Sequence, residues 1–292
     1  MRKLRKHPML VLAVGILGIS VSSIFVRYSD APSAVTAAFR LLWTVALLTP
    51  MVLGHRPTRQ ELLAVAPREV LLSCLSGVFL AVHFVLWFES LRHPSVASST
   101  TIVCTEVIWV SLGFCLFMKG KISLKAAVCI GVTLFGSLLV AFADSGSGRR
   151  LYGDILSLLA AMAVAAYTLL GRAVRSRVST AVYTWMVYTA CAAVLTVTCL
   201  VQGHDLLESG LRPVAVGFAL AVFSTILGHS IFSWCLKYFS PAFVAASKLC
   251  EPVGAGLLAV LLFAEIPTGL QLLGSALILG GVFAYSRLEK TE

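Results

Sequence analysis

The feature that most constrains this chain is a series of ten long apolar runs separated by short polar or proline-containing breaks. About 20 residues at 1.5 Å rise cross the roughly 30 Å hydrocarbon core of a bilayer, so each run is long enough for a membrane-spanning helix. Backbone groups in lipid must be satisfied internally, which favours helices. The predicted spans are 9–28, 33–53, 70–91, 95–118, 123–143, 151–171, 181–202, 213–237, 241–264 and 268–286.

Composition agrees with a membrane protein. Of the 292 residues, 59% are hydrophobic and 12% are charged, whereas soluble domains carry about 25% charged residues. Four basic residues precede the first run, as in a signal peptide, but the nine runs that follow favour an uncleaved first span. The eight cysteines all lie in apolar runs without metal-ligand spacing, so we predict packing residues and no metal site.

Lysine and arginine are distributed unevenly between the two sides of the predicted topology. With the N-terminus inside, 16 of them flank the cytoplasmic ends of spans and five lie in outer loops, while Arg40 and Lys248 lie within spans. Cytoplasmic loops are enriched in Lys and Arg, so we predict a multi-pass inner (plasma) membrane protein with both termini cytoplasmic. This bias accounts for the net charge of +10. No soluble basic domain is present, so no nucleic-acid partner is expected.

The spans divide into two equal sets, residues 1–143 and residues 151–292, with five spans each. An odd number of spans inserts the second set upside down relative to the first. The predicted fold is therefore an all-α integral membrane protein of ten transmembrane helices in two inverted five-helix repeats. That plan places a substrate site at mid-membrane between the repeats.

Two apolar runs each carry one carboxylate near the middle, Glu106 in 95–118 and Glu251 in 241–264. They lie 145 positions apart, the offset at which several other residues of the two halves match. A charged side chain at mid-bilayer costs at least ~2.5–3.5 kcal/mol, so it usually lines a cavity or has a partner. We predict that the two acids form the centre of a substrate site; the alternative is packing residues satisfied by a neighbouring Ser or Arg.

Two further kinds of titratable residue lie within predicted spans. Lys248 is three residues before Glu251, so on one helix face the two can pair or bind a ligand together. Pro252 lacks the N–H that the Lys248 carbonyl would accept, which favours a local opening at a cavity. His83 and His229 nearly correspond through the repeat; a proton-coupling role and a hydrogen-bonded structural role both remain open.

Arg40, Trp87 and Trp109 complete the candidate substrate-binding set. Arg40 can extend to the outer face, anchor an acid or meet an anionic substrate group. The two tryptophans can stack on a substrate or pack as core aromatics. On a continuous helix, Trp109 shares the face of Glu106 with Ser99, a mixture that suits a cavity lining.

Five segments, distributed over nearly the whole chain, together carry a resemblance to one known family. They are Ser22-Ser23-Ile24-Phe25-Val26-Arg27 with Asp30-Ala31-Pro32 and Ala37-Ala38-Phe39-Arg40, Trp87-Phe88-Glu89-Ser90-Leu91 with Pro94-Ser95-Val96-Ala97, Gly153-Asp154-Ile155-Leu156-Ser157-Leu158, Ser240-Pro241-Ala242 through Glu251-Pro252, and Ala264-Glu265-Ile266-Pro267 through Gly274. In these segments the chain resembles the ten-span EamA-type members of the drug/metabolite transporter superfamily. The resemblance implies transport of small polar or amphiphilic solutes through a central cavity by alternating access.

The chain departs from the family pattern at two places. Members often have proline after the acid in both halves, but Val107 follows Glu106; Lys119-Gly120-Lys121 replaces a Gly-Glu pair. These departures predict that the two acid-bearing spans bend to different extents.

The resulting hypothesis is a secondary active transporter, an exporter of a small metabolite such as an amino acid or related amine, driven by a proton or solute gradient. Its expected partners are the small-molecule substrate and the lipid bilayer. One alternative is export of nucleosides or drugs. Others are a lipid-modifying intramembrane enzyme that uses Glu106, Glu251 and a histidine, and a structural or chaperone-like membrane protein. No HExxH, Walker A or dinucleotide motif occurs, so neither enzymatic activity nor a cofactor is expected.

Overall fold

In the computed structural model, the structure describes residues 7–92, 99, 102–143, 151–206, 208–251, 253–254, 257–258, 261 and 267–288. All regular structure within these residues is helical. The elements are α1 (Pro8–Ser20), α2 (Ser22–Arg27), α3 (Ser33–Gly54), α4 (Arg56–Leu63), α5 (Pro67–Ser90), α6 (Glu106–Met118), α7 (Leu124–Ala143), α8 (Leu151–Arg175), α9 (Thr180–Val201), α10 (Leu211–Ala219), a π-helical stretch (Leu220–His229), α11 (Ser230–Cys235), α12 (Pro241–Lys248) and α13 (Gly269–Leu288).

Seven of the described helices are long and apolar enough to cross a membrane. They are Pro8–Val26, Ser33–Gly54, Pro67–Ser90, Tyr152–Arg175, Thr180–Val201, Leu211–Cys235 and Gly269–Leu288, and two shorter apolar helices are Ile102–Met118 and Leu124–Leu139. These segments fall on nine of the ten predicted spans. The remaining span, 241–264, begins with α12, and much of it beyond residue 251 lies outside the described residues. A helical multi-pass membrane protein is confirmed, while the ten-span count, the inverted repeat and the orientation stay predictions.

The buried apolar side chains gather in two clusters. The first is built mainly on α3, α5 and α9 and includes Leu80 and Tyr188. The second joins α6, α12 and α13 and includes Phe243 and Tyr285. The clusters do not follow the two halves of the sequence, because α8 and α9 of the second half pack against α3 and α5 of the first. A space between the clusters is therefore bordered by both halves.

Helices α7 and α13 form a close pair at which glycine is required. A Cβ added at Gly136 of α7 would lie 2.7 Å from the carbonyl oxygen of Gly274 and 3.0 Å from the amide nitrogen of Ile278 on α13. Small residues at such crossings let helix backbones approach in lipid. The pair contributes Ile130 of α7 and Ile278 of α13 to the second apolar cluster.

The first acid-bearing span is broken directly before its acid. Thr105 forms a turn between residues 102–104 and α6, and its amide donates to the carbonyl of Ile102 at 3.0 Å. The threonine hydroxyl donates to the same carbonyl at 2.6 Å. Glu106 is then the first residue of α6. The break forms although Val107 stands where a proline was expected.

The second acid-bearing span is broken at the matching position. Helix α12 ends at Lys248, and Leu249 and Cys250 form a turn whose amides donate to carbonyls three residues earlier. Helical structure resumes at Glu251. The sequence departures had predicted different bending in the two halves, yet both spans break immediately before their acid. Discontinuous helices of this kind usually border a solute site in the membrane.

Candidate functional site

A narrow cavity lies between the two apolar clusters, and the polar residues predicted within the spans converge on it. Seven of the eight predicted site residues line it: Arg40, His83, Trp87, Glu106, His229, Lys248 and Glu251. Its volume is about 50 Å³, which holds a few water molecules but no metabolite. Substrate binding at this site therefore requires the cavity to widen.

An ion pair between Glu106 and Lys248 crosses the cavity and joins the two halves of the sequence. The Lys248 ammonium donates to Glu106 Oε1 at 2.8 Å and to Oε2 at 3.1 Å. Thr168 of α8 donates its hydroxyl to Oε1 at 2.9 Å. Both charged side chains are largely buried, with 12% of Lys248 and 7% of Glu106 exposed. The expected pairing of Lys248 with Glu251 is wrong, since the lysine is engaged by the acid of the other half.

Glu251 lies one turn beyond Lys248 and is half-buried at the cavity wall. Within the described part of the chain, its carboxylate makes neither an ion pair nor a hydrogen bond. A buried carboxylate without a partner is costly. The arrangement therefore presents Glu251 to a cation that enters the cavity. Pro252, which follows it, lies outside the described residues.

Arg40 of α3 is fully buried and faces the cavity instead of extending to the membrane surface. Its Nε donates to the hydroxyl of Thr225 at 2.7 Å and its Nη1 to the hydroxyl of Ser22 at 3.4 Å. The guanidinium carbon lies 4.2 Å from the centre of the Phe84 ring. These contacts hold the group in place but carry no negative charge. A guanidinium has five N–H donors, so donors remain for an anionic group.

Histidine and tryptophan side chains form one wall of the cavity. His83 bonds through Nδ1 to the carbonyl of Ala160 at 3.0 Å and stacks on Trp87 with ring centres 5.8 Å apart. A carbonyl only accepts, so Nδ1 of His83 carries the proton. Nδ1 of His229 and Nε1 of Trp87 are buried and have no hydrogen-bond partner among the described residues. Such groups cost about 1–3 kcal/mol each, which a bound ligand would relieve.

Two residues that were predicted to share the cavity-lining face of Glu106 do not line the cavity. Trp109 packs against the second apolar cluster and is absent from the cavity lining. Ser99 bonds to the hydroxyls of Ser90 at 2.5 Å and Ser157 at 3.0 Å. The turn at Thr105 lies between Ser99 and Glu106, whereas Trp109 shares α6 with Glu106 and packs into the second apolar cluster.

Several cavity residues were missed by sequence reasoning. Thr168, Thr225, Ser22 and Cys104 bind the charged residues or line the cavity. Each is a small side chain in an apolar run. Ser22 lies in a segment that carries the family resemblance, but no sequence signal sets the other three apart from packing residues. In the part of the chain that the structure describes, no three His, Cys, Asp or Glu side chains gather closely enough to hold a metal ion.

Comparison with known proteins agrees with this architecture. Residues 151–287 match the EamA-like transporter family. Over 287 residues the chain is 24% identical to the pseudopaline exporter CntI of Pseudomonas aeruginosa strain UCBPP-PA14, with 98% of both chains covered. The same identity and coverage apply to CntI of strain PAO1. A protein of known crystal structure, 18% identical, shares the fold over 97% of both chains with a TM-score of 0.79.

Proposed function

The chain belongs to the drug/metabolite transporter superfamily, with an EamA-like domain over residues 151–287, and from this premise we propose that it is a secondary exporter of a small zwitterionic metabolite. An amino acid or a related amine is the substrate class that the cavity fits best. The family and the exporter named among its relatives support export of a small molecule across a membrane. The charges of the cavity support the narrower class.

The observation that carries the proposal is the balance of charges in the cavity. Four charged residues line its described part, and two of them, Glu106 and Lys248, neutralise each other. One acid, Glu251, and one base, Arg40, have no oppositely charged partner among the described residues. An ammonium group of the substrate bound at Glu251 and a carboxylate bound at Arg40 would neutralise both charges. Arginine suits this role because its fork of donors matches a carboxylate in geometry.

The ion pair supplies a means of coupling substrate binding to a change of shape. Glu106 begins α6 and Lys248 ends α12, so the pair fastens together two helices that are each broken at this depth. Opening the pair widens the cavity. Glu251 lines the same cavity as Lys248 and is then the other acid available to the released ammonium. Exchange of Lys248 between the two acids would accompany alternating access, with a proton or solute gradient as the energy source.

The intramembrane enzyme is less well supported by the same contacts. Catalysis by an acid and a histidine requires both to face a nucleophile or substrate oxygen. Glu106 is occupied by Lys248 and Thr168, and Nδ1 of His83 by a backbone carbonyl, which leaves Glu251 and His229 for such a role. Transport needs only that these groups rearrange around a solute.

Counterflow into proteoliposomes tests the proposal with alanine, ethylamine and propionate as matched probes, followed by larger amino acids, nucleosides and cationic drugs. We expect zwitterions to exchange, and to be recovered chemically unchanged, while the single-charge analogues exchange weakly. Exchange of nucleosides or of cations alone would contradict the proposed substrate class. Chemical conversion of the recovered solute would instead indicate an enzyme.

A further inference from the structure

A second cavity, separate from the central one, opens where three helices end on the same side of the protein. Helices α6, α8 and α11 end at Met118, Arg175 and Cys235. The groove between them has a volume of about 400 Å³ and is lined by Phe114, Met118, Arg172, Ala173, Ser176 and Lys237. It shares no described lining residue with the central cavity, so a ligand here would occupy a different site from the transported solute.

One wall of the groove is cationic. Arg172 is held by Nη1, which donates to the carbonyls of Leu236 at 2.6 Å and Phe239 at 3.4 Å. Lys237, the next residue after Leu236, is exposed. No described lining residue is acidic. Arg172 also caps the end of α11, but that role explains neither Lys237 nor the open volume beside it.

The opposite wall is apolar and continues into an exposed apolar surface. Phe114 and Met118 of α6 are half-buried in the groove. On the same last turns of α6, Leu116 is 64% exposed and Phe117 is 82% exposed. Directly after them Lys119 is exposed, with a left-handed backbone at φ 53°. Apolar side chains thus give way to cations within one helical turn, which is the polarity of the boundary between hydrocarbon and headgroups.

We propose that this groove binds an anionic phospholipid, with its phosphate between Arg172 and Lys237 and an acyl chain along Phe114 and Met118. Arginine contacts phosphate through paired N–H donors and lysine through a point charge. Basic pockets between transmembrane helices select anionic headgroups in this way. The lipid would link the ends of α6 and α8, which carry Glu106 and Thr168 of the central site.

Native mass spectrometry of the full-length, delipidated protein tests the site. Phosphatidylglycerol and phosphatidylcholine with identical acyl chains are titrated in parallel, with inorganic phosphate as a third arm. We expect phosphatidylglycerol to bind roughly tenfold more tightly than phosphatidylcholine, because only its headgroup carries a net negative charge. Equal binding of the two lipids would overturn the proposal. Phosphate that competes fully with phosphatidylglycerol would overturn it in favour of a soluble anion.

Two variants localise the binding. Lys237→Glu reverses an exposed charge that makes no contact in the core, and we expect it to abolish the preference for phosphatidylglycerol while the protein stays folded. Arg172→Gln should have the same effect, although it also removes a helix cap. Arg59→Glu on α4 is the matched control, since it reverses another exposed cation away from the groove. A Lys237→Glu variant that keeps the preference, or an Arg59→Glu variant that loses it equally, shows that the groove is not the site.

Discussion

Lys248 Nζ lies 2.8 Å from Glu106 Oε1 and thereby ties α12 of the second half of the chain to α6 of the first. Spacing along the sequence favours a different partner, Glu251, three residues away. The turn at Leu249 and Cys250 separates the two residues onto different helical segments. The consequence is that one acid of the repeated pair is neutralised and the other remains available.

This asymmetry predicts different defects for the two acid-to-amide substitutions. Glu106→Gln leaves the Lys248 ammonium buried without its counter-charge, and breaking a buried pair from one side costs about 3–5 kcal/mol. We expect a clear loss of thermal stability for Glu106→Gln. Glu251→Gln removes no described ion pair, so the protein should melt near the wild-type temperature and lose counterflow. Fluorescence-detected melting of the purified variants and counterflow of the same samples measure both. A lower melting temperature for Glu251→Gln than for Glu106→Gln would contradict the assignment of Glu106 as the partner of Lys248.

A double substitution isolates the pair itself. Lys248→Met in the Glu106→Gln background removes the orphaned charge, so the double variant should recover stability relative to Glu106→Gln alone. The expected coupling between the two positions is on the order of 1–3 kcal/mol. Lys237→Met in the same background is the control, because Lys237 is exposed and does not line the central cavity. Additive losses in the Glu106 and Lys248 double variant would mean that the pair contributes nothing.

Arg40 is expected to select for the carboxylate of the substrate. Arg40→Lys keeps the charge but loses the fixed fork of donors held by Thr225 and Ser22. Counterflow of the zwitterion should fall by about tenfold or more, equivalent to one good charge-assisted hydrogen bond, while exchange of the matching amine changes little. The ratio of the two rates in one preparation corrects for differences in folding. An equal loss for both solutes would assign Arg40 to structure alone.

The predicted topology is tested independently of any substrate. Both termini should be cytoplasmic, and the loop at residues 145–148 should face outward, because 16 of the loop and terminal cations then flank the cytoplasmic side. Single cysteines placed after residue 292 and within residues 145–148, in a chain whose native cysteines are replaced, report this through an impermeant thiol reagent. If both cysteines lie on the same side, the number of spans between them is even and the predicted topology is wrong.

The sequence allowed most of the site to be predicted, but not its connections. Charged and histidine side chains are rare in lipid-spanning runs, so residues such as Arg40 and Glu251 stand out, and the structure brings them to one cavity. The partner of Lys248 was not predictable, because it depends on how two distant helices pack. Thr168 is one hydroxyl among many in apolar helices. The position of Trp109 also depends on packing, since it shares α6 with Glu106 but packs into the second apolar cluster.

The buried indole of Trp87 gives the sharpest test of ligand binding at the cavity. Trp87 lines the cavity, and its Nε1 is buried without a hydrogen-bond partner among the described residues. Trp87→Phe removes that donor and keeps an aromatic ring for His83 to stack on. Removing a donor that is unsatisfied in the unbound protein should not lower stability. If the substrate accepts this N–H, its apparent affinity should fall by about five- to tenfold, the worth of one hydrogen bond of roughly 1 kcal/mol or slightly more.

Trp109→Phe is the matched control for this experiment. It removes an equally unpartnered buried indole N–H, but one that lies outside the cavity lining. Counterflow as a function of solute concentration, with melting temperature measured on the same samples, separates affinity from folding. Trp87→Phe should raise the half-saturating concentration and Trp109→Phe should leave it unchanged. Equal shifts in both variants, or a shift only for Trp109→Phe, would show that Trp87 does not donate to the substrate.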